Sequence, residues 1–435
     1  MEYIRNFNNH NSIINKIPKI TDVLLLGQST YGTEEFNKIR INIIKELIIY
    51  DDYNIILIQT DWHILYYINK YIHNNNNSIH NNKSINNNIN INTYINNLPV
   101  WLNNDTFIEF IYWLKDYNDS SIKKIYLIGI DCYSFIETIG LFYKILKIID
   151  NKLYKTLLKD LHFLSKYKTT AEFIIDFNNN KLNKSGIEEY FQDLLIKIQK
   201  NKNFYESSCI DNKLDIIDII SIEIYSNIII NSYQNIKNPY TNIRDQQMLM
   251  TTMKLKDSIN KSKIIIWGHN NHICDATATE NGGTNLINNN SWNLGQMCRS
   301  MFQNTYIIGL GTYNGSLIAT HELNKKYSIY ILNLPLEDSI EQYIYMFCKL
   351  RNINNCYIDL NLCKNISPFN QKKKQRTIGL IYNPINEINY HYISAILSKQ
   401  FDLYIFILYT THLIKTTKKK YNNYNINTID IDNLT

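Results

Sequence analysis

Glycine and proline are scarce, 13 and 6 among 435 residues, and asparagine, isoleucine, lysine and tyrosine are heavily used in their place. We attribute this drift to an AT-rich genome, and it makes asparagine-rich loops less informative than usual. Cysteine is sparse too. Its seven positions (132, 209, 274, 298, 348, 356 and 363) include no close CxxC pair, which argues against a disulfide framework and suits a reducing compartment, the cytosol. No apolar run reaches ~18 residues, so no membrane span is expected. The first residues carry asparagine and charge where a secretory signal has its apolar core, which argues against secretion. The net charge of +6 is spread over scattered lysines, apart from 372–374 and 418–420, too diffusely for a nucleic-acid surface. A phosphate loop, a GxSxG elbow, a dinucleotide fingerprint and a Cys/His zinc spacing are all missing, so no cofactor and no metal is expected.

What the chain has is apolar mass, 45% of its residues, enough for a large core. The pattern predicts an α/β fold: a mostly parallel central sheet flanked by helices, with a helical insertion. Residues 1–20 read as a short polar helix or lead-in and 21–134 as the first half of the α/β core, interrupted by an Asn-rich surface insertion at 74–97. Residues 135–240 read as the helical elaboration, 241–410 as the second half of the core with a closing segment, and 411–435 as a disordered tail.

The chain is organised around residues 22–40. Val23 to Leu26 is too short for a helix and unbroken in apolarity, as a strand buried on both faces should be. A polar loop between Gly27 and Gly32 follows, and then Thr33 as N-cap, Glu34 and Glu35 at the helix start, and Phe36, Ile39, Ile43, Ile44 and Leu47 at helical spacing. Further strands are expected at 54–62, 124–131, 263–267, 306–310, 316–319, 327–332, 377–382 and 403–409, with helices at 64–72, 101–117, 185–199, 214–230, 244–255, 339–350 and 390–397. A strand, helix, strand succession implies right-handed crossovers and a parallel sheet.

Open parallel sheets bind ligands at the carboxyl ends of their strands. Gln28, Tyr31, Gln59, Asp131, His269 and His272 should converge there, with the Arg40 guanidinium pointing inward from the helix. Each has a plain structural alternative. The glutamines could plug the loop by hydrogen bonding, Tyr31 could pack, and Arg40 could pair with Asp61 or Asp131 instead of holding a ligand. Two histidines in HxxH spacing are a weak metal signal, because zinc normally takes three protein ligands.

The segments Gly27-Gln-Ser-Thr-Tyr-Gly-Thr-Glu-Glu-Phe36 with Arg40, Ile58-Gln-Thr-Asp-Trp62, Trp113-Leu-Lys-Asp-Tyr-Asn118, Gly129-Ile-Asp131, Arg244-Asp-Gln-Gln-Met248, Trp267-Gly-His-Asn-Asn-His272 and Asn293-Leu-Gly295 are collinear with those of a known family. With the C-terminal Arg376-Thr-Ile-Gly-Leu-Ile-Tyr-Asn-Pro384 and Gln400-Phe-Asp402, the chain resembles the erythromycin esterase family from about residue 20 to 410. The resemblance implies metal-independent hydrolysis of a macrolide lactone or another carboxylic ester. It also implies a histidine in a Gly-Glu-Ala-Thr-His-Gly loop that activates water, helped by that loop's glutamate, a second glutamate after the next strand, the helix arginine and the His-Asn-x-His histidines.

On this resemblance Arg40, His269 and His272 match, whereas Gln28, Tyr31 and Gln59 stand where the family has proton-handling residues, and Gln247 stands where many members have histidine. Asp131, Arg244 and Asp245 are expected to bind ligand. An amide cannot take up a proton and a tyrosine of pKa ~10 keeps its own at neutral pH, so the expected function is that of a catalytically silent or strongly impaired ester or lactone hydrolase. The alternative is an active hydrolase with a rearranged mechanism, His269 or His272 serving as base and Tyr31 donating to the oxyanion. The expected partner is a small ester, lactone or anion, with no nucleic acid and no membrane; oligomeric state is not legible.

Overall fold

The computed structural model describes residues 3–7, 9–73, 91–179, 186–239, 242–280, 292–322 and 325–415. Residues 74–90 of the Asn-rich insertion and 416–435 of the expected tail lie outside the described residues.

A nine-stranded sheet carries the fold, in the order β1-β8-β11-β6-β2-β5-β3-β4, with β7 added on β6. The strands are β1 (Ile4–Asn6), β2 (Val23–Leu26), β3 (Ile55–Asp61), β4 (Tyr126–Asp131), β5 (Ile264–Trp267), β6 (Thr305–Ala319), β7 (Ser328–Ile331), β8 (Asn355–Asp359) and β11 (Leu403–Thr410). From β11 to β4 all neighbours are parallel, and only β7, β8 and β1 join antiparallel. The α/β reading therefore holds. The all-apolar runs of β2 and β5 are fully buried because helices cover both faces. One face packs on the Glu34–Tyr50 and Asp105–Ser120 helices through Phe36, Ile43, Phe107 and Phe110. The other meets the helices spanning Phe135–Lys237.

That second layer is tied to the core by an ion cluster in which Lys70 and Asp218 are buried and Asp215 is exposed. Lys70, on the Trp62–His73 helix, places its ammonium 2.6 Å from both Asp215 and Asp218 at the start of the Ile216–Lys237 helix, and the Tyr66 hydroxyl donates to Asp218 at 2.7 Å. Asp215 and Asp218 also form a reciprocal capping box there.

Several expectations need correction. Besides a short helix (Asn11–Ile14), residues 1–20 contain an unexpected edge strand, β1, whose only buried residue is Ile4. The stretches expected at 306–310 and 316–319 are one continuous 15-residue strand, β6. Gly309 and Gly311 keep β6 unbroken, because the rings of Tyr404 and Phe401 press where their side chains would stand. Residues 377–382 form no ladder. They cross the strand ends and pair with other strands only through isolated bridges, Thr30 to Ile378 and Thr320 to Ile381, while Ile378 and Tyr382 pack into a small core with Leu317, Ala319 and Leu332. The segment read as a helix at 390–397 is mostly strand β10 (Tyr392–Ile396), paired antiparallel with β9 (Lys372–Arg376) in a separate two-stranded sheet. A five-residue piece with β-branched Ile393 and Ile396 is too short for its period to distinguish strand from helix. Finally, residues 411–415 are ordered: Glu35 accepts from the Thr411 amide at 2.7 Å, and Glu34 from the Ile414 amide at 3.3 Å.

One glycine decides how the sheet presents its site. The register between β3 and β4 shifts after Ile58, so that Asp61 comes level with Asp131. A Cβ on Gly129 would lie 2.3 Å from the Asp61 carbonyl oxygen and 2.7 Å from that of Thr60. Gly129→Ala should therefore cost about 1–3 kcal/mol of unfolding free energy, read by urea denaturation, as backbone that cannot yield is pushed apart.

Candidate active site

The parallel strands end together, and their loops enclose a cavity of about 390 Å³. Tyr31, Gln59, Asp131, Arg244 and His272 line it, as do Asp61 and Tyr133. Gln28, Arg40, His269 and Asp245 are not on its wall and act from behind it.

His269 follows β5 and caps the short turn Asn270–Ile273: its Nδ1 accepts the Asn271 amide at 3.2 Å. Nε2 donates to the carbonyls of Ile378 at 3.0 Å and Ser29 at 3.3 Å. Burial, then the neighbouring His272, pushes its pKa down to about 3, so the ring is neutral, with the proton on Nε2 and no lone pair free. That arrangement makes His269 a brace between three chain segments and leaves it unable to serve as a base.

Tyr31 stacks on that ring at 4.9 Å and leans on Trp101 at 5.4 Å. Its hydroxyl donates to Gln59 Oε1 at 3.1 Å, and the same oxygen accepts the His269 amide at 2.8 Å. Burial raises the Tyr31 pKa above the usual phenol value. The proton that a rearranged mechanism would offer to an oxyanion is thus already committed to an amide oxygen.

Arg40 is fully buried. Nε donates to the Phe36 carbonyl at 3.1 Å, and Nη2 to Asn37 Oδ1 at 2.7 Å and to Gln28 Oε1. The guanidinium lies 4.0 Å over the Trp267 ring. No carboxylate among the described residues is within ion-pair distance, so the expected alternative of a pair with Asp61 or Asp131 is not what forms. Burial depresses its pKa well below the usual arginine value.

Asp131 instead takes Arg244 in a bidentate pair, at 3.0 Å (Oδ1 to Nε) and 2.6 Å (Oδ2 to Nη2). Burial alone would raise the Asp131 pKa, but the guanidinium outweighs it and holds it low. Asp245 points its Oδ1 at His272 Nδ1, 2.9 Å away, and also accepts the Leu294 amide at 3.1 Å. Of the two histidines, only His272 faces the cavity.

Asp61 is the functional candidate that the sequence reading undervalued, having weighed it only as a partner for Arg40. Its Oδ1 accepts the backbone amides of Tyr133 at 2.6 Å and Ser134 at 3.2 Å while the side chain lines the cavity. Burial and the adjacent Asp131 charge raise its pKa to about 7. The signal available in the sequence was a second strand ending in a carboxylate, parallel to the one ending in Asp131. Among the described residues no group of three or more His, Cys, Asp or Glu side chains is placed to hold a metal ion.

Residues 48–410 match the family model for erythromycin esterase. The chain belongs to the erythromycin esterase family. Solved structures share the fold. A succinoglycan biosynthesis protein is 17% identical, with 95% of this chain and 93% of that one covered and a TM-score of 0.70. A Bacillus cereus protein is also 17% identical, with coverage of 94% and 96% and a TM-score of 0.72. A mutant of the erythromycin esterase EreC in its open conformation is 15% identical, with coverage of 93% and 94% and a TM-score of 0.64. The family match begins at residue 48, so the loop at 27–33 and Arg40 of this erythromycin esterase family member precede it.

Between pH ~4 and ~7 the folded protein holds a proton on Asp61 that the unfolded chain releases, so this group's contribution to stability falls as pH rises through that window. Asp61→Asn should flatten that dependence. From pH 5 to pH 8 the variant should gain about 2–3 kcal/mol relative to wild type in urea unfolding.

Proposed function

We propose that this protein keeps a pocket for a small ester or lactone while the water-activating position that the family resemblance implies is silent. One observation supports the reading: Gln28, Tyr31 and Gln59 are neutral side chains, and the two amide oxygens and the phenol proton are already engaged within the protein. Gln28 gives its oxygen to Arg40, Tyr31 gives its proton to Gln59, and Gln59 binds the His269 amide. None of these can accept a proton from water near pH 7, and loss of a general base typically costs about 10²–10⁴-fold in rate. On the wall, the Arg244 charge is offset by Asp131, while Tyr31, Trp101 and Tyr133 present aromatic surface. This favours an uncharged ester or lactone over an anion. Seven buried cysteines without a disulfide support a cytosolic location, and no helix among the described residues is long and apolar enough to cross a membrane.

A specific feature supports residual hydrolysis as a second reading. Asp245 orients His272 through Nδ1, so that Nε2 of a ring on the cavity wall is the atom left to take a proton from water. In this reading the remaining turnover runs through His272.

Turnover of erythromycin and of p-nitrophenyl acetate tests both. The triple variant Gln28→Glu, Tyr31→His, Gln59→Glu should exceed wild type by about 10²–10⁴-fold. Equal rates for the two, or a folded and ligand-binding triple variant that stays inert, would overturn the silent reading. Residual wild-type turnover should drop roughly 100-fold in His272→Gln; if it persists unchanged, His272 is not the base.

A further inference from the structure

Two acids line the 390 Å³ cavity, Asp61 and Asp131, and they come level at the ends of β3 and β4. Asp131 takes the Arg244 guanidinium in its bidentate pair, while no cation among the described residues pairs with Asp61. Asp61 Oδ1 accepts the Tyr133 and Ser134 amides and so holds the turn after β4; Oδ2 takes neither. The other titratable groups around Asp61 bring no positive charge to it. From its own side of the sheet comes His63, which burial pushes down to about 4 and keeps neutral; from the turn after β4 come the neutral Cys132 thiol and Tyr133 phenol; and from the next helix comes Glu137, held by Thr170 at 2.5 Å. Burial first, and then the Asp131 charge, oppose a second negative charge here and outweigh the Ser134 hydroxyl and the Tyr133 amide, which favour it. With Oδ1 spent on two amides, the proton belongs on Oδ2.

Resting on the reading of this cavity as a pocket for an uncharged ester or lactone, we propose that Asp61 is its polar anchor: Oδ2 keeps a proton and donates it in a hydrogen bond to the carbonyl oxygen of the ligand. Other donors on the wall are already spent inside the protein. Tyr31 donates to Gln59, Thr377 donates to Asn271, and Arg244 Nε and Nη2 donate to Asp131. An ester oxygen can only accept, so an ionised Asp61 would face it lone pair against lone pair. The pocket therefore selects uncharged acceptors, and its occupancy is tied to pH through one proton.

Calorimetric titration of the full chain with erythronolide B, a macrolactone without a titrating group, tests this. A ligand that binds only the protonated form loses affinity about tenfold per pH unit above about 7, so the affinity should fall about 30-fold between pH ~5.5 and ~8.5. Near pH ~8, compared between buffers of different ionisation enthalpy, binding should take up close to one proton per ligand. Asp61→Asn keeps a donor and cannot ionise, so at pH ~8.5 it should bind as tightly as wild type does at pH ~5.5, without proton uptake. His272→Gln, which removes the imidazole from the wall, should retain the uptake. Wild-type affinity that is flat in pH and takes up no proton would overturn the role of Asp61 while leaving the pocket reading intact. So would uptake that survives in Asp61→Asn or disappears in His272→Gln. Failure of the wild type to bind the lactone at pH ~5.5 would overturn the pocket reading and this inference with it. If Asp61→Asn does not fold, proton uptake by the wild type and by His272→Gln still decides the matter.

Discussion

The site depends on one neutral imidazole. His269 joins the turn after β5, the loop after β2 and the crossing segment at Ile378, contacts that span 240 and 109 residues of sequence. Because Nε2 gives its proton to two backbone carbonyls and Nδ1 takes a backbone amide, the ring must stay uncharged for all three bonds to persist. Burial enforces that state. Tyr31 then stacks on a fixed surface, and Gln59 can bridge the Tyr31 hydroxyl and the His269 amide. A protonated His269 would offer a donor where an acceptor is needed, so the same contacts that build the wall remove this histidine from proton transfer.

The strand ends are divided electrostatically. Asp61, whose pKa is raised to about 7, lies on the β3–β4 side of the cavity, level with Asp131, while Gln28 and Tyr31 of the β2 loop are neutral hydrogen-bonding groups. Paired carboxylates push each other's titration apart. Arg244 decides which member stays ionised, since it takes Asp131 in a bidentate grip and leaves Asp61 with the raised pKa. The amides of Gln28 and Gln59 hydrogen-bond at the pocket without adding buried negative charge, so Arg40 meets only neutral oxygen acceptors.

Much of the scaffold was legible because its signals are local. Val23–Leu26 and Ile264–Trp267 are unbroken apolar runs bounded by glycine or charge, and they are the buried parallel strands that such runs imply. The Glu34–Tyr50 helix follows from its apolar spacing and the glutamates at its start. What could not be read depends on long-range pairing. β1 and β8 are short strands that owe their conformation to each other and to β11, and β10 becomes a strand only because β9 lies beside it. The site followed the same division. Strand-end residues were placed correctly on one edge, but sequence does not say which side chains face the cavity and which lie behind it. That distinction separates His272 from His269 and makes Arg40 a buried group.

The sheet order has a consequence for how the chain is made. β11 is the last strand among the described residues, yet it sits between β6 and β8, and β1, which precedes the other strands in sequence, reaches the sheet only through β8. Vectorial synthesis therefore cannot close this fold progressively. Until residues 403–414 emerge, the exposed flank of β6 lacks its neighbour, and Glu34 and Glu35 lack the amides they bind. An unfinished strand edge of this kind is a template for wrong pairing, so a nascent chain must either delay collapse or be shielded until its final strand is released.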